Sequence, residues 1–206
     1  CGTTPAHMAA VVEAVHGLTP KKRSPQRQPS CSSIYQPVTL RQDNSFLIVG
    51  ERSNTNGSKK FRELLVAGDI NGLVDMGREQ VREGAHVLDV CVDYVGRDGA
   101  PDMDKVVSRY AQDVTVPLML DSTEWPVLEA GLKRAGGKCI VNSVNLEDGE
   151  DKLERVCPLL RKYGAAVVAL TIDEDPTEAM AKVADRKLEI ASRLHKLLTT
   201  KYGIPE

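Results

Sequence analysis

Five short apolar runs, each stopping on an acid or an amide, set the rhythm of this 206-residue chain. Residues 46–50 run into Glu51, 86–88 into Asp89, 116–120 into Asp121, 139–141 into Asn142 and 166–172 into Asp173. Short continuous apolar runs of this kind fit parallel strands buried on both faces, each delivering its last side chain to the carboxyl edge of a sheet. Between the runs lie helical patterns at 59–67, 69–83, 101–112, 123–134, 148–163 and 176–201. The first strand is expected to end at Gly50, followed by a polar loop carrying Glu51, Arg52, Asn54 and Asn56. Helical crossovers make the neighbouring strands parallel and right-handed. The expected fold class is therefore α/β, an array of about five βα units with a polar site at one end.

The front of the chain is built differently. Thr4 as N-cap and Pro5 at the first position open a helix whose apolar stripe is Met8, Val11, Val12 and Val15, and Gly17 stops it. Residues 18–45 then hold Pro20, Pro25, Pro29 and Pro37 together with Lys21, Lys22, Arg23 and Arg27. Such a segment cannot bury enough surface to fold alone and is expected to be an interdomain linker. The expected organisation is a helix over 1–17, a linker over 18–45 and the βα array over 46–206. An eight-fold barrel needs about 250 residues, so the array corresponds to a small doubly wound sheet or to the first part of a (β/α)8 barrel. Cys1 in place of a methionine and a final turn, YGIPE, lead us to expect a piece of a longer polypeptide, which favours the partial TIM barrel.

Composition narrows the partners. With 27 basic and 29 acidic residues the formal charge is −2, which gives no reason to expect nucleic acid or an anionic membrane as partner. No apolar run approaches the roughly 20 residues of a membrane span. Five scattered cysteines suit a reducing, cytoplasmic setting better than a disulfide framework.

The strand ends carry the candidate chemistry. Neighbouring strands share one mouth, so Asp121 and Asn142 can converge there, with Asp89 in the same register. Alternatively these groups cap the helices that follow, although Ser122 and Thr123 can take over the capping and free Asp121. Glu51 and Arg52 can pair with each other or with neighbouring loops to order the rim, while Asn54 and Asn56 suit a turn beside Gly57 as well as a ligand role. Asp173, followed by Glu174, Asp175 and Pro176, suits helix capping. Cys91 has no accompanying histidine pattern and is not expected to be a nucleophile.

Several stretches resemble one family in their order along the chain. GERSN at 50–54, AHVLDVCVDYVGRDG at 85–99, PLMLDS at 117–122, KCIVNSVNLEDGED at 138–151 and KYGAAVVAL at 162–170 are similar to the pterin-binding barrel of the cobalamin-dependent methionine synthase family. CGTTPAHM at 1–8 resembles the last turn of that family's homocysteine domain, where a Gly-Gly-Cys-Cys-Gly-Thr-Thr-Pro stretch supplies two zinc thiolates. The resemblance covers nearly the whole chain. It implies a dihydropteroate-synthase-like barrel, present here as its N-terminal part, behind the C-terminal helix of a homocysteine- and zinc-binding domain.

The implied reaction is methyl transfer from 5-methyltetrahydrofolate to cob(I)alamin in the synthesis of methionine from homocysteine. Methylcobalamin would belong to another domain of the parent chain, and that domain and the homocysteine domain would be the partners. Asp121, Asn142 and Asp89, with Glu51 and Asn54 from the loop after the first strand, are the implied pterin-binding residues. A carboxylate matches the fused N–H and NH2 edge of a pterin with two acceptors, and an asparagine can satisfy the groups that remain. Cys1 is the one implied zinc ligand, His7 being expected on the helix surface, and the site is incomplete in this chain. Where the family motif reads Asp-Val-Asn this chain has Asp89-Val90-Cys91, which removes an amide from the mouth. Two alternatives stand beside this assignment. One is a different pterin barrel, such as dihydropteroate synthase or a corrinoid-protein methyltransferase, against which the CGTTPAH stretch speaks. The other is a non-catalytic scaffold between two domains. Five units alone would leave strand edges open, so the chain by itself is expected to be inactive and poorly folded.

Overall fold

The computed structural model describes residues 2–24, 28–172, 174–175 and 180–206. Five parallel strands form one sheet: β3 (Val49–Asn54), β4 (Val87–Cys91), β5 (Leu118–Asp121), β6 (Ile140–Val144) and β7 (Ala166–Ala169), each paired to the next in chain order. Helices α2 (Lys59–Ala67), α3 (Ile70–Arg82), α4 (Gly99–Asp113), α5 (Trp125–Arg134) and α6 (Asp151–Tyr163) occupy the crossovers. The architecture is the expected one, an α/β sheet of five βα units forming part of a (β/α)8 barrel.

Strict alternation divides the sheet into two faces. Leu88, Val90, Leu118, Leu120 and Val141 pack with the helices, joined by Leu73, Met103, Val107, Leu128 and Leu160. The other face is apolar at its lower end, where Val87, Ile140, Met119, Val49, Ala166 and Val168 cluster. Asp89, Asp121 and Asn142 follow two residues after Val87, Met119 and Ile140 on the same strands, so this inner face turns polar toward the carboxyl ends.

The lower end of that face is covered by part of the segment expected to be a linker. Strands β1 (Ser30–Ser32) and β2 (Pro37–Thr39) form an antiparallel hairpin, and fully buried Cys31 joins the inner cluster with Val38. Ser32 N–H donates to the Lys138 carbonyl at 2.9 Å, and Ser33 Oγ donates to the Thr115 carbonyl at 2.6 Å. Gly137 makes the docking possible, because a Cβ there would lie 2.1 Å from the Ser32 carbonyl oxygen. Residues 30–39, inside the segment expected to be a linker, thus form a hairpin docked onto the sheet.

Other boundaries differ from expectation. The first strand begins later, at Val49, leaving Phe46 88% exposed, and it runs on through the residues expected to form a loop. The first helix, α1 (Pro5–Val15), is bounded as expected, but Met8, Val11, Val12 and Val15 are all exposed. His7 accepts the Thr4 N–H at Nδ1 and so serves the helix start. The long C-terminal helix is shorter than its pattern, as α7 (Ala184–Lys196) followed by a π-helical turn, Leu197–Lys201. Ile190 and Leu194 are buried and Leu188 is not, while 176–179 lie outside the described residues. Among the described residues no helix is long and apolar enough to cross a membrane. Cys31, Cys91, Cys139 and Cys157 are buried free thiols.

Candidate functional site

The polar mouth is assembled by strand register. Cys91 pairs with Asp121, Asp121 with Asn142, and Asn54 with Cys91, so four strands present side chains at one level. Asp89 lies one inward-facing position below Cys91.

Asn54 reaches this level through a bulge. Gly50 pairs with Leu88 and Ser53 with Val90, so three steps along β3 match two along β4. Val49 and Asn54 are an odd number of residues apart, and a regular strand would send them to opposite faces. The inserted residue brings both to the inner face. The carbonyl oxygen of the Asn54 side chain accepts the N–H groups of Asn56 at 2.8 Å and Gly57 at 3.2 Å. Its amide nitrogen therefore points the other way and donates to Asp89 at 2.9 Å and Asp121 at 3.0 Å. Asn54 serves the turn and the site at once, one function with each end of its amide.

The two carboxylates differ in environment. Asp89 is only 5% exposed and accepts from Asn54 and, at 3.5 Å, from the Asn142 amide. Burial raises its pKa, the two amides oppose the rise, and the Glu51 charge adds to it. Asp121 is more open. Burial, and after it the Asp89 charge, push Asp121 up to about 6. Burial also lifts the Cys91 thiol to about 12, which removes it as a nucleophile at neutral pH.

Asp121 is free of capping duty. α5 starts at Trp125, later than expected, with Glu124 as N-cap, and the approaching N–H groups are satisfied by others. Thr123 N–H donates to Asp93 at 3.2 Å, Glu124 N–H donates to Ser122 Oγ at 3.0 Å, and Ser122 Oγ donates to Asp93 at 2.9 Å. Asp93 was not among the residues expected to matter; it is one of two acids in the loop between β4 and α4 and has no local pattern of its own.

Of the residues selected from sequence, Asp89, Asp121, Asn142 and Asn54 come together. Glu51 stands exposed at the rim, on the strand and not in the loop expected, close enough to act on Asp89 through charge alone. Arg52 does not pair with Glu51; its guanidinium bonds Glu83. Cys1 and Asp173 lie outside the described residues. Among the described residues no three His, Cys, Asp or Glu side chains gather as metal ligands.

A cavity of about 460 Å³ opens beside the mouth, bordered by Asn56, Arg62, Asp93, Tyr94 and Thr123. A larger one, about 660 Å³, lies at the opposite end of the sheet near Leu40, Lys138, Ala166, Leu198 and Ile204, away from the carboxylates. Chemically the mouth offers acceptors: two partly desolvated carboxylates that share one amide donor. It suits a flat, donor-rich edge whose N–H groups would replace lost water.

Comparison with known proteins agrees with this chemistry. Residues 50–206 match the family described as pterin binding enzyme. The chain is 49% identical over its full length to the methionine synthase of Mycobacterium tuberculosis (strain ATCC 25618 / H37Rv), and 46% identical over 99% of its length to that of Mycobacterium leprae (strain TN). It spans 17% of the length of each of these relatives. Among solved structures, a dihydropteroate synthase of Xanthomonas albilineans superposes with a TM-score of 0.56 at 18% identity, covering 86% of this chain and 62% of that one. That of Thermus thermophilus gives 0.52 at 21% identity, with 86% and 62% covered. At these identities the structural likeness speaks for the fold alone.

Proposed function

Because the chain belongs to the pterin binding enzyme family, we propose that its mouth binds the pterin ring of 5-methyltetrahydrofolate for methyl transfer to cob(I)alamin in the synthesis of methionine from homocysteine. The observation that carries this is the pair Asp89 and Asp121 held about one Asn54 amide, with Asn142 alongside. The two carboxylates share the Asn54 amide, Asp89 taking the Asn142 amide as well and Asp121 the Cys91 thiol, and their remaining acceptor positions match a pterin's fused N–H and NH2 edge. The similarity to methionine synthases extends over the first 45 residues as well as the barrel, which favours this reading over a stand-alone dihydropteroate synthase or a scaffold.

In this reading Asp121 takes the donor edge directly, being the more open carboxylate. Asp89 holds Asn54 and Asn142 in place from beneath, and Glu51 borders the entrance. The chain's residues bind and orient the ring so that the N5 methyl faces out of the mouth. The methyl leaves N5 as a cation equivalent, and the N5 electron pair takes up a proton, giving tetrahydrofolate. The corrinoid, carried by another domain of the parent protein, supplies the methyl acceptor. We assign residues 1–17 to the end of a homocysteine- and zinc-binding domain with Cys1 as one zinc ligand, 18–45 to the connection between domains, and 46–206 to the N-terminal part of the folate domain. The assignments include a cytoplasmic location.

Titrating the full-length protein with methyltetrahydrofolate tests the central claim. Asp121→Ala and Asn142→Ala should each weaken binding by roughly 1–3 kcal/mol, the cost of a buried polar group losing its partner. Absence of saturable binding, or binding unaffected by both changes, would refute it.

A further inference from the structure

A glutamine on the apolar face of a helix has a part in the site that it never touches. Gln80 on α3 is 3% exposed and falls in step with buried Leu73, Val74, Met76 and Gly77. Its side-chain oxygen accepts the Arg52 N–H at 2.8 Å. Arg52 lies in the β3 bulge, where the extra residue drops out of the strand ladder and its N–H needs another acceptor. The Gln80 amide nitrogen donates to Ser53 Oγ at 2.9 Å and to the Met76 carbonyl at 3.3 Å. Ser53 Oγ is 3.0 Å from Tyr110 Oη, and Tyr110 donates onward to the Leu73 carbonyl at 2.8 Å.

This chain of bonds has only one self-consistent direction. Tyr110 uses its proton on Leu73, so Ser53 must donate to Tyr110 and accept from Gln80. The Gln80 oxygen is thereby committed to the bulge. Gly50 permits the approach, since a Cβ there would lie 2.9 Å from that oxygen. Glu83, the C-cap of α3, holds the Arg52 guanidinium, so one helix end clamps the bulge through main chain and side chain.

We infer that Gln80 is a positioning residue: by holding the β3 bulge it fixes the direction in which Asn54 presents its amide to Asp89 and Asp121. The inference rests on the binding role proposed above for that cluster. Asn54 follows Ser53 directly, and the bulge is what carries it to the inner face. With the Arg52 N–H unpaired, the strand can recover regular pairing only by turning Asn54 away from the carboxylates.

The test is a double-mutant cycle on the full-length protein, reading the methyltetrahydrofolate Kd for Gln80→Met, Asn54→Ala and the combination. Gln80→Met, similar in length but without donor or acceptor, should raise Kd about tenfold, the size of a typical lost hydrogen bond. In the Asn54→Ala background it should raise Kd no further. Tyr110→Phe, a milder cut in the same network, should show a smaller effect with the same disappearance. Leu132→Ala, in the core on α5 and away from the bulge, should leave Kd within about twofold despite lowering stability. The proposal is overturned if Gln80→Met binds like the unaltered protein, if its effect multiplies with that of Asn54→Ala, or if Leu132→Ala weakens binding as much. A ligand-free crystal structure of Gln80→Met gives a second, independent decision. The Asn54 amide should have left hydrogen-bond distance of at least one carboxylate, and retention of both bonds would overturn the proposal. Normal affinity in Asn54→Ala alone would instead remove the binding reading, with the crystal structure still deciding the role of Gln80.

Discussion

Replacing Asp121 by Asn should make the ligand-free protein more stable while it weakens the grip on ligand. Burial and the neighbouring Asp89 charge carry Asp121 from its ordinary 3.8 up to about 6. At 1.36 kcal/mol per pH unit such a rise amounts to roughly 3 kcal/mol. Asp121 is partly open to solvent, and screening reduces this to about 1–2 kcal/mol. The sign follows from linkage. A group whose folded-state pKa lies above its unfolded value stabilises the fold through its proton, fully below 3.8 and progressively less as pH rises through about 6. An asparagine stays neutral throughout, and its carbonyl still accepts the Asn54 N–H, so the variant escapes that loss. Urea unfolding should find the two proteins within about 0.5 kcal/mol of each other near pH 3.5, and the variant ahead by about 1–2 kcal/mol near pH 7.5. No advantage at the higher pH would mean that the buried charge costs nothing and that the mouth is not starved of donors. An equal advantage at both pH values would mean that ionisation is not its source. Either result would refute the reasoning that makes the mouth a receptor for N–H groups.

Binding should carry the complementary pH dependence: affinity for methyltetrahydrofolate should fall as pH drops through about 6, because the ligand needs the ionised carboxylate, and the fall should be shallower in Asp121→Asn. Glu51→Gln should lower the Asp89 pKa with little change in affinity, seen in a carboxylate titration followed by NMR; a large loss of affinity would move Glu51 from the rim into the site. Gly137→Ala puts a Cβ against the Ser32 carbonyl and should lift the hairpin at a cost of about 1–3 kcal/mol. Faster iodoacetamide labelling of Cys31, located by mass spectrometry, would report it, and unchanged labelling would refute the docking role. Cys91, 1% exposed with its thiol at about 12, should stay essentially unlabelled at pH 8 until the protein unfolds, and rapid native-state labelling would show a thiolate that the burial argument forbids.

Much of this site was legible before any coordinates. Asp89, Asp121 and Asn142 each end an apolar run, and in a parallel sheet that alone sends them to a common edge. The rest was not legible for identifiable reasons. The polar run from Glu51 to Asn54 has the composition of a loop, and its place in β3 depends on pairing with β4 more than thirty residues away. Gln80 did leave a trace, as an amide on an otherwise apolar helical stripe. The trace says that Gln80 is buried; it does not say which backbone group it serves. Asp93 left none, being one of two acids in its loop.

The sequence by itself determined the order of strands and helices, the parallel pairing, and that Asp89, Asp121 and Asn142 lie toward the carboxyl ends of their strands. All of these follow from periodicity and burial, which act within a window of a dozen residues. Only the tertiary structure decided that an extra residue in β3 turns Asn54 inward, that Gln80 holds it there, and that a proline-rich connection closes the lower end of the sheet. Those depend on hydrogen bonds and close approaches between positions tens to more than a hundred residues apart, such as Ser32 with Lys138, which no local pattern encodes.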